Sequence, residues 1–276
     1  MVKRRRAVLI TPAVDRRKAD KAVRSAADEI VLDLEDGVAP ERKDEARALA
    51  REIVSEYGQS RAISVRINGV DSRWADDDMK MCASVSSNLD SVVLPKTETA
   101  ECIVRVADRC GSEVQALVET ARGTRDINRI CTAGPALSSL IIGYADLAAD
   151  LGRSALPHGR DWHSIQDAVL VAGRSENLDV IDGPHLSLAD DASFRDTKNW
   201  TNLLGFDGTW VIHPGQIESA RSIYTPSRSE IDGARRVIDA LSRAHQRGEG
   251  AISLDGRMVD EALVLSARRI LERGDE

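Results

Sequence analysis

Two apolar runs in this chain lead into a carboxylate. One is Ala116-Leu117-Val118-Glu119, followed by Thr120-Ala121-Arg122-Gly123; the other is Leu137 to Gly143, followed by Tyr144-Ala145-Asp146. A charged side chain at the end of a buried strand needs a metal or a counter-charge. Hard oxygen ligands on neighbouring strand ends can share one cation, and Mg²⁺ takes one or two protein carboxylates, leaving its other octahedral positions to water and substrate oxygens. Glu119 and Asp146 are therefore the candidate metal pair, with Mn²⁺ as the alternative ion. Plainer roles compete: Asp146 as N-cap of a helix over Leu147 to Leu151, and Glu119 as ion-pair partner of Arg122 or Arg66.

Arg66 ends the run Val65-Arg66-Ile67-Asn68. A guanidinium among carboxylates can grip a substrate carboxylate or carbonyl and stabilise enolate charge; its plain alternative is a counter-charge to Glu35 or Asp36. Leu32-Asp33-Leu34-Glu35-Asp36-Gly37 crowds three carboxylates into four positions. Like charges so close raise one another's pKa unless a cation is near, so Glu35 and Asp36 join the catalytic candidates, and at least one of the three is expected only to cap the helix after Pro40. Lys96, in Leu94-Pro95-Lys96, suits a Schiff base or, better beside a dicarboxylate metal site, an anion or rim carboxylate. His213, before Pro214, reads as a hydrogen-bonded structural residue. No G-x-S-x-G elbow or cysteine in a histidine-containing setting supports a covalent nucleophile.

The elements that must position these groups recur as short apolar runs, each followed by a helix-like pattern. Strands are predicted at about Ala7 to Ile10, Glu29 to Asp33, Ala62 to Ile67, Ser91 to Leu94, Glu113 to Val118, Leu137 to Gly143, Asp179 to Asp182 and Gly208 to Ile212. The clearest helix spans Pro40 to Gly58, with Ala46, Leu49, Ala50, Ile53 and Val54 at helical spacing. Strands alternating with helices pair in parallel through right-handed crossovers, and eight such units close into a (β/α)₈ TIM barrel, with an open doubly wound sheet as runner-up. Thr11, Glu35, Arg66, Asn68, Lys96, Glu119, Asp146, Asp182 and His213 then share the carboxyl-end rim, where barrel active sites are built; the opposite ends show no comparable set. Residues 1–224 make the barrel. Residues 225–276 exceed its needs: a helix from about Ser229 to Arg247, a hairpin turning at Asp255-Gly256 and a last helix from about Asp260 to Leu271 form a C-terminal extension expected to act as a lid or subunit-exchange arm.

Composition bounds the function. A net charge of −7 and a pI near 5.4 argue against a nucleic-acid binder, and the run Lys3-Arg4-Arg5-Arg6 reads as a solvated tail. Cys82, Cys102, Cys110 and Cys131 show no C-x-x-C spacing and read as reduced packing residues of a cytoplasmic protein. Neither a signal-peptide core nor a membrane-length apolar run is visible, so no membrane partner is expected.

Leu32-Asp-Leu-Glu-Asp-Gly-Val-Ala-Pro40, Val65-Arg-Ile-Asn68, Val93-Leu-Pro-Lys96, Leu117-Val-Glu-Thr-Ala-Arg-Gly123, the segment Gly143 to Gly152, Val180-Ile-Asp-Gly-Pro184 and the segment Gly205 to Ile217 together resemble the citrate lyase β-subunit-like proteins of the HpcH/HpaI aldolase superfamily, in family order over nearly the whole chain. The resemblance implies a (β/α)₈ barrel assembled as a homotrimer or hexamer, using Mg²⁺ to make or break a carbon–carbon bond between an acyl-CoA and a 2-keto acid. It implies that Glu119 and Asp146 bind the metal and that Arg66 contacts the keto-acid or enolate oxygen. Gly256-Arg-Met-Val-Asp260 resembles the family segment whose aspartate enters a neighbouring subunit's site as acid-base, where Asp260 would otherwise read as a cap of the last helix. The implied activity is a lyase on malyl-CoA or citramalyl-CoA. The alternatives are a malyl-CoA thioesterase or malate-synthase-like outcome, an aldolase on free hydroxy-keto acids, and a subunit needing an acyl-carrier partner. Two departures stand out. Ala13-Val14-Asp15-Arg16-Arg17 replaces the relatives' Gly-Asn/Asp-x-Pro-Arg type segment, leaving Arg16, Arg17, Lys18 and Lys21, chiefly Arg17 and Lys21, either to meet CoA phosphates or to form a plain solvated basic helix face. Ala145 stands where some relatives carry a glutamate.

Overall fold

The strands are runs of aliphatic residues buried on both faces, the pattern of a parallel sheet covered by helices. In the computed structural model, which describes residues 4–153 and 159–274, they run in chain order β1 (Ala7–Pro12), β2 (Glu29–Asp33), β3 (Ile63–Arg66), β4 (Ser91–Leu94), β5 (Val114–Val118), β6 (Leu137–Ile142), β7 (Asp179–Asp182) and β8 (Gly208–Val211). The helices are α1 (Arg16–Val23), α2 (Lys43–Tyr57), α3 (Ala75–Ser84), α4 (Ala100–Cys110), α5 (Ala121–Arg125), α6 (Ile127–Ile130), α7 (Tyr144–Leu151), α8 (His163–Ser175), α9 (Ala192–Leu204), α10 (Ile217–Ile223), α11 (Arg228–His245) and α12 (Glu261–Gly274). Every strand pairs in parallel with its sequence neighbour, and β8 returns to β1 with Val8 opposite Trp210. The sheet is a closed barrel, which removes the doubly wound alternative.

Contacts divide the chain after Ser222. In the first unit the barrel interior is layered. Its middle layer is apolar: Val8, Val31, Val93, Leu117, Ile141, Ile181 and Trp210 pack together, and each such side chain contributes roughly 1.5–3 kcal/mol by leaving water.

Below that layer, at the amino ends of the strands, lies a polar network that the sequence did not suggest. Glu29 accepts from Arg5 Nε (2.6 Å), Ser64 Oγ (2.6 Å) and Gln115 Nε2 (2.5 Å), and Gln115 also bonds Ser91 and Ser139. Arg5 further pairs with Asp179 at 3.2 Å and Asp90 at 3.3 Å. These residues come from strands on opposite sides of the barrel, so their side chains meet inside it. The expectation of a solvated basic tail is therefore wrong for Arg5, which is 4 % exposed, and for Arg6, which pairs with Asp28 at 2.7 Å; Lys3 lies outside the described residues. The opposite strand ends thus carry a polar set of their own, but a structural one: single polar residues inside apolar strands satisfy one another once the barrel closes.

The second unit holds α11, which opens with a capping box between Ser227 and Glu230, a hairpin of Ile252–Leu254 and Arg257–Val259 turning through Asp255 and Gly256, and α12. Leu241, Ala244, Val259 and Val264 form its core. All four cysteines are free, and among the described residues no helix is long and apolar enough to cross a membrane.

Candidate active site

The carboxyl ends of β2, β3, β4, β5 and β6 bring Asp33, Glu35, Arg66, Lys96, Glu119 and Asp146 onto one rim. The rim begins at Asp33, whose carboxylate accepts the backbone N–H of Glu35 (2.9 Å) and Gly37 (3.0 Å) and thereby folds the turn after β2. The same two oxygens take Arg66 Nε at 2.7 Å and Nη2 at 2.8 Å, a two-pronged pair that fixes the guanidinium plane. Arg66 Nη1 then points at Glu35 Oε2, 3.1 Å away, without hydrogen-bond geometry. That oxygen is buried and has no hydrogen-bond partner among the described residues.

None of the three β2 carboxylates caps the helix after Pro40, contrary to expectation. A short 3₁₀ turn at Pro40–Arg42 precedes α2, and neither is closed by a side-chain cap. The loop is instead anchored from below by Lys43, 5 % exposed, which donates to Leu34 O (2.6 Å), Glu35 O (2.7 Å) and Asn68 Oδ1 (2.7 Å). Its sequence signal was a lysine in register with the buried stripe Ala46, Ala50 and Ile53 of α2.

Glu119 is 2 % exposed, and its Oε1 accepts the Lys96 backbone N–H at 2.9 Å. Burial, reinforced by the nearby charges of Glu35 and Asp146, pushes its pKa up to about 8. Arg122, one partner proposed for it, turns to Glu98 at 3.4 Å instead; Arg66, the other, is committed to Asp33 and Glu35. Gly143 makes room for the carboxylate: a Cβ there would collide with Glu119 Oε2 and lie 2.6 Å from Glu119 Cβ.

Asp146 is not a helix cap, because α7 starts two residues earlier at Tyr144 behind Gly143. It sits in the first turn, half-buried, with Lys96 Nζ 3.9 Å from Oδ1. The start of α7 is tied down by Tyr144, whose hydroxyl donates to Asp182 Oδ1 at 2.6 Å. Asp182 faces away from the rim into a buried ion pair with Lys198 at 2.6 Å, so it serves to position rather than to react.

Lys96 reaches across to Glu35 Oε1 at 2.5 Å and lies 3.6 Å from Asp36 Oδ2. Burial disfavours its charge, but the hydrogen bond and charge of Glu35, with the charges of Glu119 and Asp36, outweigh that and raise its pKa. An ammonium held in this way is no Schiff-base nucleophile. Asp36 itself is exposed. His213 accepts the Gly215 N–H at 3.1 Å, the structural role expected for it.

Arg17 and Lys21 are exposed on α1, which leaves the same rim, and neither forms an ion pair among the described residues; Arg16 is engaged by Asp20, Glu52 and Glu56. In the second unit, Asp260 Oδ1 accepts the backbone N–H groups of Ala262 (3.1 Å) and Leu263 (3.4 Å), as a cap of α12 does.

The donor set fits a hard divalent cation. Glu119 and Asp146 present carboxylate oxygens from adjacent strand ends, and the buried Glu119 lacks the donors that would hold its charge. Among the described residues no three acidic, histidine or cysteine side chains are grouped to hold a metal by themselves, so an ion held by Glu119 and Asp146 would take its remaining positions from water and substrate.

The family model for HpcH/HpaI aldolase/citrate lyase matches residues 6–214. Among characterised relatives, a (3S)-malyl-CoA thioesterase of Cereibacter sphaeroides is 34 % identical over 273 residues, covering 98 % of this chain and 94 % of the relative. An L-malyl-CoA/beta-methylmalyl-CoA lyase of the same species is 32 % identical over 286 residues, covering 93 % and 90 %. Among solved structures, CitE from Mycobacterium tuberculosis in complex with magnesium, acetoacetate and coenzyme A superimposes with a TM-score of 0.80 at 31 % identity over 98 % of each chain.

Proposed function

The chain belongs to the HpcH/HpaI aldolase/citrate lyase family, and from that premise we propose that it is a Mg²⁺-dependent carbon–carbon lyase that cleaves a 3-hydroxyacyl-CoA such as malyl-CoA or citramalyl-CoA to acetyl-CoA and a 2-keto acid, or runs the reverse condensation. The observation that carries this is the pairing of buried, charge-starved Glu119 with Asp146 beside an immobilised Arg66. The relative solved with magnesium and coenzyme A supports the cofactor and the thioester class of substrate.

Glu119 and Asp146 would hold the magnesium, which when bound supplies Lewis-acid polarisation of the substrate oxygens. Arg66, its plane fixed by Asp33, binds the oxygen that becomes the keto group and stabilises charge there as it develops. Asp260, entering from a neighbouring subunit, takes the proton of the 3-hydroxyl. The bond between the hydroxyl carbon and the carbon next to the thioester then breaks, its electron pair passes to the thioester as an enolate, and protonation of that carbon gives acetyl-CoA. Glu35 orients Arg66 and Lys96, while Arg17 and Lys21 meet the CoA phosphates at the rim. Asp36, exposed beside Lys96, contributes charge to the mouth of the site.

A second outcome at the same site, hydrolysis of the thioester, is favoured by the 34 % identical thioesterase. Incubation with malyl-CoA and citramalyl-CoA, with and without Mg²⁺, separates the two: keto acid with acetyl-CoA marks the lyase, free thiol marks hydrolysis. Loss of either activity without Mg²⁺ and in Glu119→Ala is expected; metal-independent turnover would refute the site.

Residues 225–276 act as the exchange arm of a homotrimer or hexamer. Exposed Met258, Leu263 and Leu265 supply apolar surface for that contact, and light scattering on the purified protein would test it. Four free thiols fit a cytoplasmic setting.

A further inference from the structure

Among the described residues, three non-glycine residues have positive φ: Asn177, Asp255 and Lys96. Asn and Asp are the types that tolerate the left-handed region. Lys96, at φ +50°, is the exception, and strain of this kind persists where surrounding contacts impose it. Here they are identifiable. The left-handed turn aims the Lys96 N–H at Glu119 Oε1 (2.9 Å) and sends its side chain over the rim, where Nζ lies 2.5 Å from Glu35, 3.6 Å from Asp36 and 3.9 Å from Asp146. One residue thus touches both proposed metal ligands and both acidic groups of the β2 loop. Arg66 shares in neutralising Glu35, 3.1 Å from its Nη1, but its other contacts go to Asp33, and Asp36 and Asp146 have Lys96 as their ion-pair partner among the described residues. The Lys96 side chain is 42 % exposed, so its ammonium has a path to solvent.

We propose that Lys96 is a tethered counter-cation of the site, neutralising Glu35 and Asp146 while no divalent ion is present and giving way when one binds, so that the ammonium and the metal compete for Asp146. The proposal rests on Glu119 and Asp146 being the metal ligands. A monovalent charge a few ångströms from a divalent one, in a partly desolvated cleft, opposes it strongly. The competition keeps the metal exchangeable and leaves a displaced ammonium at the rim.

The test is Mn²⁺ binding to the metal-stripped full-length protein, read by the loss of the free-ion electron paramagnetic resonance signal. Lys96→Met should bind Mn²⁺ more than threefold tighter than wild type, on the order of tenfold, and Lys96→Arg, which keeps the charge, should stay within threefold. Lys96→Gly, matched to the native left-handed backbone, should reproduce the Met result and guards against a misfolded Met variant; circular dichroism confirms folding in each. Affinity of the neutral variants within threefold of wild type, or weaker, overturns the proposal while leaving the metal site standing. Absence of Mn²⁺ binding in wild type overturns both.

Discussion

In the metal-free protein, replacing Glu119 by glutamine should be stabilising, and increasingly so as the pH rises. The folded pKa of this carboxyl is about 8 against an ordinary 4.5. Between those values the folded state keeps a proton that the unfolded state has released, so stability falls with rising pH across the window and the full penalty applies above 8. At 1.36 kcal/mol per pH unit the difference amounts to at most about 5 kcal/mol. Glutamine keeps the shape and can never charge. In EDTA, the melting temperatures of wild type and Glu119→Gln should nearly coincide at pH 5 and diverge by pH 9, the variant melting several degrees higher, given roughly 2–4 °C per kcal/mol for a unit of this size. Saturating Mg²⁺ should reverse the order, because only wild type gains binding free energy from the ion. Parallel wild-type and variant curves from pH 5 to 9 in EDTA would refute the claim that burial, with Glu35 and Asp146 close by, loads this residue with strain that a cation relieves.

Gly143→Ala should leave the barrel folded but push the Glu119 carboxylate aside, lowering Mn²⁺ affinity about 10–100-fold; unchanged affinity by titration calorimetry would count against Glu119 as a ligand. Asp260→Asn preserves a good helix cap, so an unchanged melting temperature with turnover lost at intact metal affinity is expected, whereas full activity would reduce Asp260 to a cap. Lys198→Met strands the Asp182 carboxylate in the interior and should cost about 3–5 kcal/mol in a denaturant titration. Arg5→Met does the same to Glu29 at the other end of the barrel, with a similar loss and no change in Mn²⁺ affinity.

The strands were legible because a parallel barrel buries both faces of each one, and the resulting aliphatic runs fall within two residues of the observed limits at every strand. The rim was legible for the same reason: a charge that ends such a run stands out, as Glu119 and Arg66 do. What escaped was pairing between residues far apart in sequence. Asp33 looked like one of three interchangeable acids until Arg66, 33 residues away, was seen to occupy both its oxygens. Lys43 and Lys198 look like ordinary surface lysines unless their register with buried neighbours is noticed; each is dry because its ammonium neutralises or bridges groups contributed by other elements. The role proposed for Asp260 requires a second copy of the chain, and one sequence fixes only its local place before α12.

The two polar layers of the barrel show why charge alone is a poor guide to function. At the amino ends, Glu29 is as buried as Glu119, but it accepts from an arginine, a serine and a glutamine. A carboxylate so supplied with donors has its hydrogen-bonding needs met in the interior and little left to offer a ligand. At the carboxyl ends, Glu119 receives one backbone N–H from Lys96, Glu35 keeps an oxygen with no hydrogen-bond partner among the described residues, and the cation nearest Asp146 is a half-exposed lysine on a strained backbone. Folding would favour filling those valences with serine or glutamine, as it has at the opposite end. That these carboxylates remain under-supplied at the rim, where a small oxyacid could reach them, is what separates a site from a structural network, and it makes the difference measurable: a divalent cation should stabilise the rim and do nothing for the layer beneath.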